Sequence, residues 1–173
     1  MKYMFFIIVL TVTLAINGYV FYKGWLLLPP SNIAKILYAT IFWLLAFSFF
    51  FRMYKGDSFS PSLSLLLSEI SFTWITAIIY FALFFLAIDL IRGVDYFVGF
   101  IPGVVKENPL LSARIAAFAV VVAVVSLLLY GNYKFNNPNV TSLTISIDKR
   151  LPQEGVKIVL MSDLHLSSYI NGE

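Results

Sequence analysis

Four long stretches without a charged residue constrain the fold of this chain more than any other feature. A membrane-spanning helix needs about 20 mostly apolar residues, with a range of about 17–25. Three of the stretches have this length, and the second reaches it if residues 33 and 34 are included and the amine of Lys35 extends to the lipid headgroups. Because lipid offers no partner to open backbone groups, each stretch predicts a transmembrane helix. The stretches are residues 4–22, 36–51, 70–88 and 115–133.

The overall composition also indicates a membrane protein. Of the 173 residues, 60% are apolar and 12% are charged, whereas a soluble domain is about 45–50% apolar and about 25% charged. The net charge is +3, but the basic residues are scattered singly between apolar runs, which argues against a nucleic-acid partner. The chain has no cysteine, so disulfides and thiolate metal sites are excluded.

The first apolar stretch predicts a retained helix, because it lacks an A-x-A-like cleavage site and exceeds the usual signal-peptide core of about 7–15 residues. With four spans, both termini lie on the same side of the membrane. The basic residues on the terminal side are Lys2, Arg52, Lys55 and Lys134. Those on the opposite side are Lys23, Lys35, Arg92, Lys106 and Arg114. This near-balance leans only slightly toward termini outside the cytoplasm.

Several polar residues fall inside or beside the predicted spans. Asp89 and Arg92 are three residues apart, which predicts a pair along one helix near the interface; the alternative is that Asp89 lines a path for an ion or substrate. Glu69 and Arg114 are expected to anchor the ends of their helices at the membrane boundary. Interhelical hydrogen bonds are expected from a set of uncharged polar residues, which comprises Asn17, Ser48, Ser71, Thr73, Thr76 and Ser126.

The segments around the spans carry loop signals. Ser31 or Asn32 follows a Pro-Pro break and is suited to cap the second helix. Residues 93–109 are apolar but broken by Gly99, Pro102 and Gly103, which predicts a segment that lies in the membrane interface or dips back into it. After residue 133 the composition becomes more polar.

The end of the chain predicts the start of a second domain. Residues 134–139 read as a linker, and residues 140–147 alternate between apolar and polar side chains, as a strand does. Residues 156–161 form a second, apolar strand pattern after a turn. Two strands do not make a stable domain, so we expect residues 140–173 to be the incomplete beginning of one.

Asp163 and His165 come directly after the second strand pattern, in "VKIVLMSDLHLSS". Residues two apart in a strand point to the same side, so a carboxylate and an imidazole can converge on one metal ion such as Mn, Fe or Zn. The alternative is that Asp163 caps the following turn and His165 is an incidental polar residue. On spacing alone the second interpretation is favoured, because a pattern of three residues arises easily by chance.

The stretch "LPQEGVKIVLMSDLHLSS" resembles the opening of the calcineurin-like metallophosphoesterases, and the preceding hydrophobic helices resemble the membrane-anchored branch of that family. The resemblance implies Asp163 and His165 as ligands of one metal in a dinuclear divalent centre. Ser167 stands where the family often has glycine. The later GD-x-x-D-like, GNH and GH-x-H motifs have no counterpart, so the resemblance covers about the last thirty-five residues and no catalytic residue is assigned here.

The expected fold class is therefore an all-α, four-helix transmembrane region (residues 1–133) followed by the first β-hairpin of an α/β metallophosphoesterase domain. The resemblance implies a bacterial plasma-membrane enzyme that hydrolyses a phosphoester or phosphoanhydride, including one on a lipid, although this chain by itself is expected to be inactive. One rival is a non-enzymatic four-helix membrane protein, a transporter subunit or assembly factor with a short soluble tail. Another is a degenerate phosphoesterase that acts as a binding module.

Overall fold

The computed structural model describes residues 2–55 and 59–137, and these fold as a bundle of four long helices and one short helix. The long helices are α1 (Lys2–Trp25), α2 (Asn32–Lys55), α3 (Pro61–Val98) and α5 (Pro109–Asn136), and the short one is α4 (Gly103–Glu107). Each long helix contains a stretch that is apolar and long enough to cross a bilayer. The prediction of four membrane-spanning helices is therefore confirmed, and the chain is a multi-pass integral membrane protein.

The predicted fold class is wrong in its β part. Every regular element among residues 2–55 and 59–137 is a helix, and α5 continues to Asn136, past the start of the predicted linker. The stretches predicted as strands, residues 140–147 and 156–161, lie outside the described residues. An alternating stretch of eight residues and an apolar one of six are weak signals for a hairpin, because two strands without further cover are only marginally stable.

The loop predicted at residues 93–109 is partly helical. Helix α3 continues through Gly93 to Val98, since one glycine inside a helix costs only about 1 kcal/mol. It ends at Gly99, whose φ of 71° is left-handed and suits glycine. Asp95 closes this turn: its side chain accepts a hydrogen bond from the backbone N–H of Ile101 (2.6 Å) and pairs with Lys106 (2.8 Å).

Helix α3 is the central helix, and it contacts all three other long helices. It has 38 residues and is about 57 Å long, whereas the hydrocarbon layer is about 30 Å thick. Helix α3 must therefore be tilted in the bilayer, or part of it must extend beyond the hydrocarbon layer. Its start is fixed by Ser60, whose hydroxyl accepts the N–H of Leu63 (3.4 Å), and by Pro61 in the first turn. Ser31 caps α2 in the same way, accepting the N–H of Ala34 (3.4 Å).

The interior of the bundle is narrow and rich in aromatic residues, while most large apolar side chains face outward. This distribution is typical of helices surrounded by lipid, which are apolar on every side. The rings of Phe21 and Trp74 both contact Phe42, with centroids 5.2 and 5.0 Å away. We call this group the aromatic cluster, and it comprises Phe21, Tyr38, Phe42, Trp43 and Trp74.

Gly24 allows α1 to lie close to α2 beside this cluster. A Cβ atom at this position would overlap the hydroxyl of Tyr38. That hydroxyl donates a hydrogen bond to the carbonyl of Phe21 (3.1 Å), so it lies directly against the backbone of α1. The absent side chain of Gly24 is what permits this contact.

Candidate functional site

The shorter of the two ion pairs among the described residues joins the end of α1 to α3. The Nζ atom of Lys23 lies 2.6 Å from one carboxylate oxygen of Asp89, and the hydroxyl of Tyr19 donates a hydrogen bond to the other (2.7 Å). Tyr19 and Lys23 are four residues apart, so they lie on the same face of α1 and reach the same carboxylate. The side chains of Lys23 and Asp89 are 23% and 34% exposed, so the pair is only partly withdrawn from solvent or lipid.

This contact replaces the predicted pair within α3. Asp89 was expected to pair with Arg92, but its ion-pair partner is Lys23, which is 66 positions earlier in the sequence. Among the described residues, no carboxylate lies within ion-pair distance of Arg92, whose side chain is exposed. Asp89 therefore ties two helices together, which agrees with its interpretation as a structural residue but gives it a different partner.

An apolar cleft lies beside the Lys23–Asp89 pair, where α1 ends and α5 begins. Its volume is about 320 Å³. Phe85 and Ile88 of α3 form one wall and Leu27 of the α1–α2 loop forms another. The small side chains of α5 that face it are Ala113, Ala116 and Ala117. Lys23, Asp89 and Arg92 are the charged residues of the lining; we call the whole feature the interfacial cleft.

Arg114 holds the α1–α2 loop against the start of α5. Its Nε atom donates a hydrogen bond to the carbonyl of Leu27 (3.1 Å), and Leu27 is itself bonded to the carbonyl of Gly24 through its N–H (3.1 Å). Arg114 was predicted to anchor the boundary of the fourth span; it lies near the start of α5, and its partner is a backbone carbonyl. Glu69, the other predicted anchor, is exposed on α3.

The uncharged polar residues make the expected contacts in two places. Asn17 is 3% exposed; its Oδ1 atom accepts the indole N–H of Trp74 (3.1 Å), and its amide donates to the carbonyl of Thr13 (2.9 Å). The Oγ atoms of Ser48 and Ser71 lie 3.2 Å apart between α2 and α3. By contrast, Thr76 bonds to its own helix, at the carbonyl of Phe72 (2.9 Å).

A larger apolar cavity of about 500 Å³ lies in the other half of the bundle, between the first half of α1 and helices α2 and α3. Its lining includes the polar residues Thr13, Asn17 and Trp74, together with Phe50 and Met53 of α2. We call it the lateral cavity. The side chains of Asn17 and Trp74 are hydrogen-bonded to each other, and most other residues of the lining are apolar.

The predicted metal ligands, Asp163 and His165, lie outside the described residues. Within residues 2–55 and 59–137, no group of three or more metal-ligating side chains lies together. Sequence reasoning did not find the roles of Lys23 and Tyr19. The spacing of these two residues, at i and i+4 near the end of a span, indicates that they lie on one face of α1. It does not indicate which other helix that face contacts.

No family model matches this chain, and neither a curated protein nor a solved structure does.

Proposed function

We propose that the helical region is a non-enzymatic integral membrane unit, an anchor or assembly element that holds the residues after Asn136 at the membrane surface. The observation that carries this proposal is the pairing of polar groups across helices. The Lys23–Asp89 pair joins α1 to α3, and the Asn17–Trp74 bond joins the same helices deeper in the bundle. These groups hold helices together and are each other's ion-pair or hydrogen-bond partners, as is typical of interhelical polar contacts in membranes.

The aromatic cluster favours anchoring over transport. A transport path needs polar groups or space along the bundle axis. Instead, the buried ring of Phe42 packs edge-on against Trp43 and Trp74 between α2 and α3. These ring contacts between α2 and α3 support a rigid unit rather than a subunit that opens.

Reconstitution of the full chain into phosphatidylcholine vesicles tests this proposal. The measurements are proton flux with a trapped pH-sensitive dye and potassium flux with a trapped potassium-sensitive dye, together with resistance of the helices to unfolding by SDS. We expect no flux above empty vesicles for the wild type, and reduced resistance to SDS for Lys23→Gln and Asp89→Asn. The proposal would be contradicted if the wild type showed flux above that of empty vesicles and either substitution removed this flux without changing the resistance to SDS. That result would favour a transporter subunit.

We propose as a second function that Asp163 and His165 provide the first metal ligands of a metal-dependent phosphoesterase. The support is the "SDLHL" sequence and its resemblance to the calcineurin-like metallophosphoesterases, in which such an Asp and His bind one metal of a dinuclear centre. A carboxylate oxygen with an imidazole nitrogen suits Mn, Fe or Zn, and a two-metal centre activates water and stabilises the phosphoryl group. Tethering to the bilayer would bring lipid-linked phosphates within reach.

The second proposal is tested by Mn²⁺ binding to the full chain, measured by calorimetry. We expect weak binding that Asp163→Asn and His165→Gln each abolish, whereas Glu69→Gln, on the exposed face of α3, leaves it unchanged. We also expect no hydrolysis of p-nitrophenyl phosphate by this chain, because two ligands do not hold a dinuclear centre. Equal Mn²⁺ binding by the wild type and both ligand variants would contradict the assignment.

A further inference from the structure

We propose that the interfacial cleft binds an anionic phospholipid, with part of one acyl chain in the cleft and the headgroup phosphate at Arg92. The cleft lies where α1 ends at Trp25 and α5 begins at Pro109. It therefore opens at the end of the bundle, where spanning helices leave the hydrocarbon and meet the headgroups. A chain that enters it from the surrounding lipid keeps its headgroup at the level of the charged residues.

The lining separates into an apolar part and a charged part, as a phospholipid does. Phe85, Ile88 and Leu27 provide the apolar walls, and the alanines of α5 leave the space between them unfilled. All the charged residues of the lining lie on α1 and α3. The volume of about 320 Å³ is at the lower end of the range of about 300–1,000 Å³ for ligand sites, which suits part of one acyl chain.

The charges of the cleft select the sign of the headgroup. The charges of Lys23 and Asp89, whose side-chain atoms lie 2.6 Å apart, cancel each other. The guanidinium of Arg92 therefore gives the lining a net charge of one positive unit. A guanidinium binds phosphate through two parallel hydrogen bonds. The phosphate of phosphatidylglycerol carries an uncompensated negative charge, whereas that of phosphatidylcholine is balanced by its own ammonium group. The cleft therefore favours the anionic lipid.

Native mass spectrometry of the full chain in detergent tests this inference, with titration of phosphatidylglycerol or phosphatidylcholine of identical acyl chains. We expect the first phosphatidylglycerol to bind about tenfold more tightly, which corresponds to about 1.4 kcal/mol. Arg92→Gln should abolish this preference and Arg92→Lys should retain most of it. Ala113→Leu should weaken binding of both lipids by filling the cleft.

Arg52→Gln is the matched control, because it removes the same charge at the opposite end of the bundle, where the guanidinium lies 5.4 Å from the ring of Phe72. Equal binding of the two lipids, or an equal effect of Arg52→Gln and Arg92→Gln, would overturn the inference. Displacement of the bound lipid by excess inorganic phosphate would also overturn it, since the site would then bind a free anion. Circular dichroism confirms that each variant keeps its helices.

Discussion

The two halves of the bundle differ in how tightly their helices are joined. In the half where α1 ends, Tyr19, Lys23 and Gly24 of α1 each contact another helix, through Asp89 of α3 or Tyr38 of α2. In the other half, the described residues of α1 before Asn17 make no side-chain hydrogen bond or ion pair with another helix, and the lateral cavity of about 500 Å³ lies between α1 and helices α2 and α3. The boundary between the halves is the Asn17–Trp74 hydrogen bond.

This difference shows what joins helices in lipid. Apolar side chains gain little from leaving lipid for another helix, so association depends on close packing and polar contacts. Residues that provide these contacts, such as Gly24, Lys23 and Asn17, lie in the second half of α1. The first half offers mainly apolar side chains, and many of them remain exposed.

The largest expected effect comes from removing an aromatic ring in the joined half. Phe42 is 5% exposed and contacts four other rings, so Phe42→Ala should lower the free energy of unfolding by about 3 kcal/mol through the cavity that it leaves. Phe50, which lines the lateral cavity, is only half-buried, so Phe50→Ala removes fewer contacts and should cost about 1 kcal/mol or less. Unfolding by SDS, followed by circular dichroism, measures both. Equal losses would remove the distinction between the halves.

A smaller effect is expected at two glycines of α1. Gly24→Ala places a methyl group against the Tyr38 hydroxyl and should cost about 1–2 kcal/mol. Gly18→Ala meets no atom within 4 Å and should be neutral or stabilising by up to about 1 kcal/mol, because alanine favours the helix. The same unfolding assay compares them. Tyr38→Phe, which removes the obstructing hydroxyl, should recover part of the Gly24→Ala loss; no recovery would mean that the close contact is not the cause.

The smallest effect is expected at the Asn17–Trp74 hydrogen bond, which lies between the two halves of the bundle. Trp74→Phe removes the donor to Asn17 while keeping an aromatic ring, and should cost about 0.6 kcal/mol, the average for an interhelical hydrogen bond in a membrane. Asn17→Leu should cost a similar amount, and the double variant should cost no more than the larger single loss. Fully additive losses in the unfolding assay would show that the bond itself contributes nothing.

The helices were predictable from the sequence because charge-free length is a local property. A cap at Ser31 or Asn32 and the polar role of Asn17 were also predictable, since both depend on residue type and position; the structure selects Ser31. The continuation of α3 past Gly93 could not be predicted from the sequence. The helix ends only at Gly99, which takes a left-handed conformation, and the Asp95 side chain stabilises this turn by accepting the N–H of Ile101. Apolar loops and short apolar helices have the same composition.

The least predictable feature was which side chain on another helix each polar residue contacts. The spacing of Asp89 and Arg92 indicated a pair along one helix, whereas the partner of Asp89 is Lys23 on another. Which helices lie together is decided by the whole bundle, through contacts such as that of Gly24 with Tyr38. The proposed ligands Asp163 and His165 lie outside the described residues and stay a prediction from the sequence.

A double-mutant cycle on Lys23 and Asp89 tests the central claim most directly, namely that polar pairs across helices hold this bundle together. The four proteins are the wild type, Lys23→Gln, Asp89→Asn and the double variant, compared by SDS unfolding in the same micelles. We predict a coupling free energy of about 1 kcal/mol, within the range for residues in contact, so that the double variant loses less than the two single losses combined. Additive losses, with no coupling, would contradict the account.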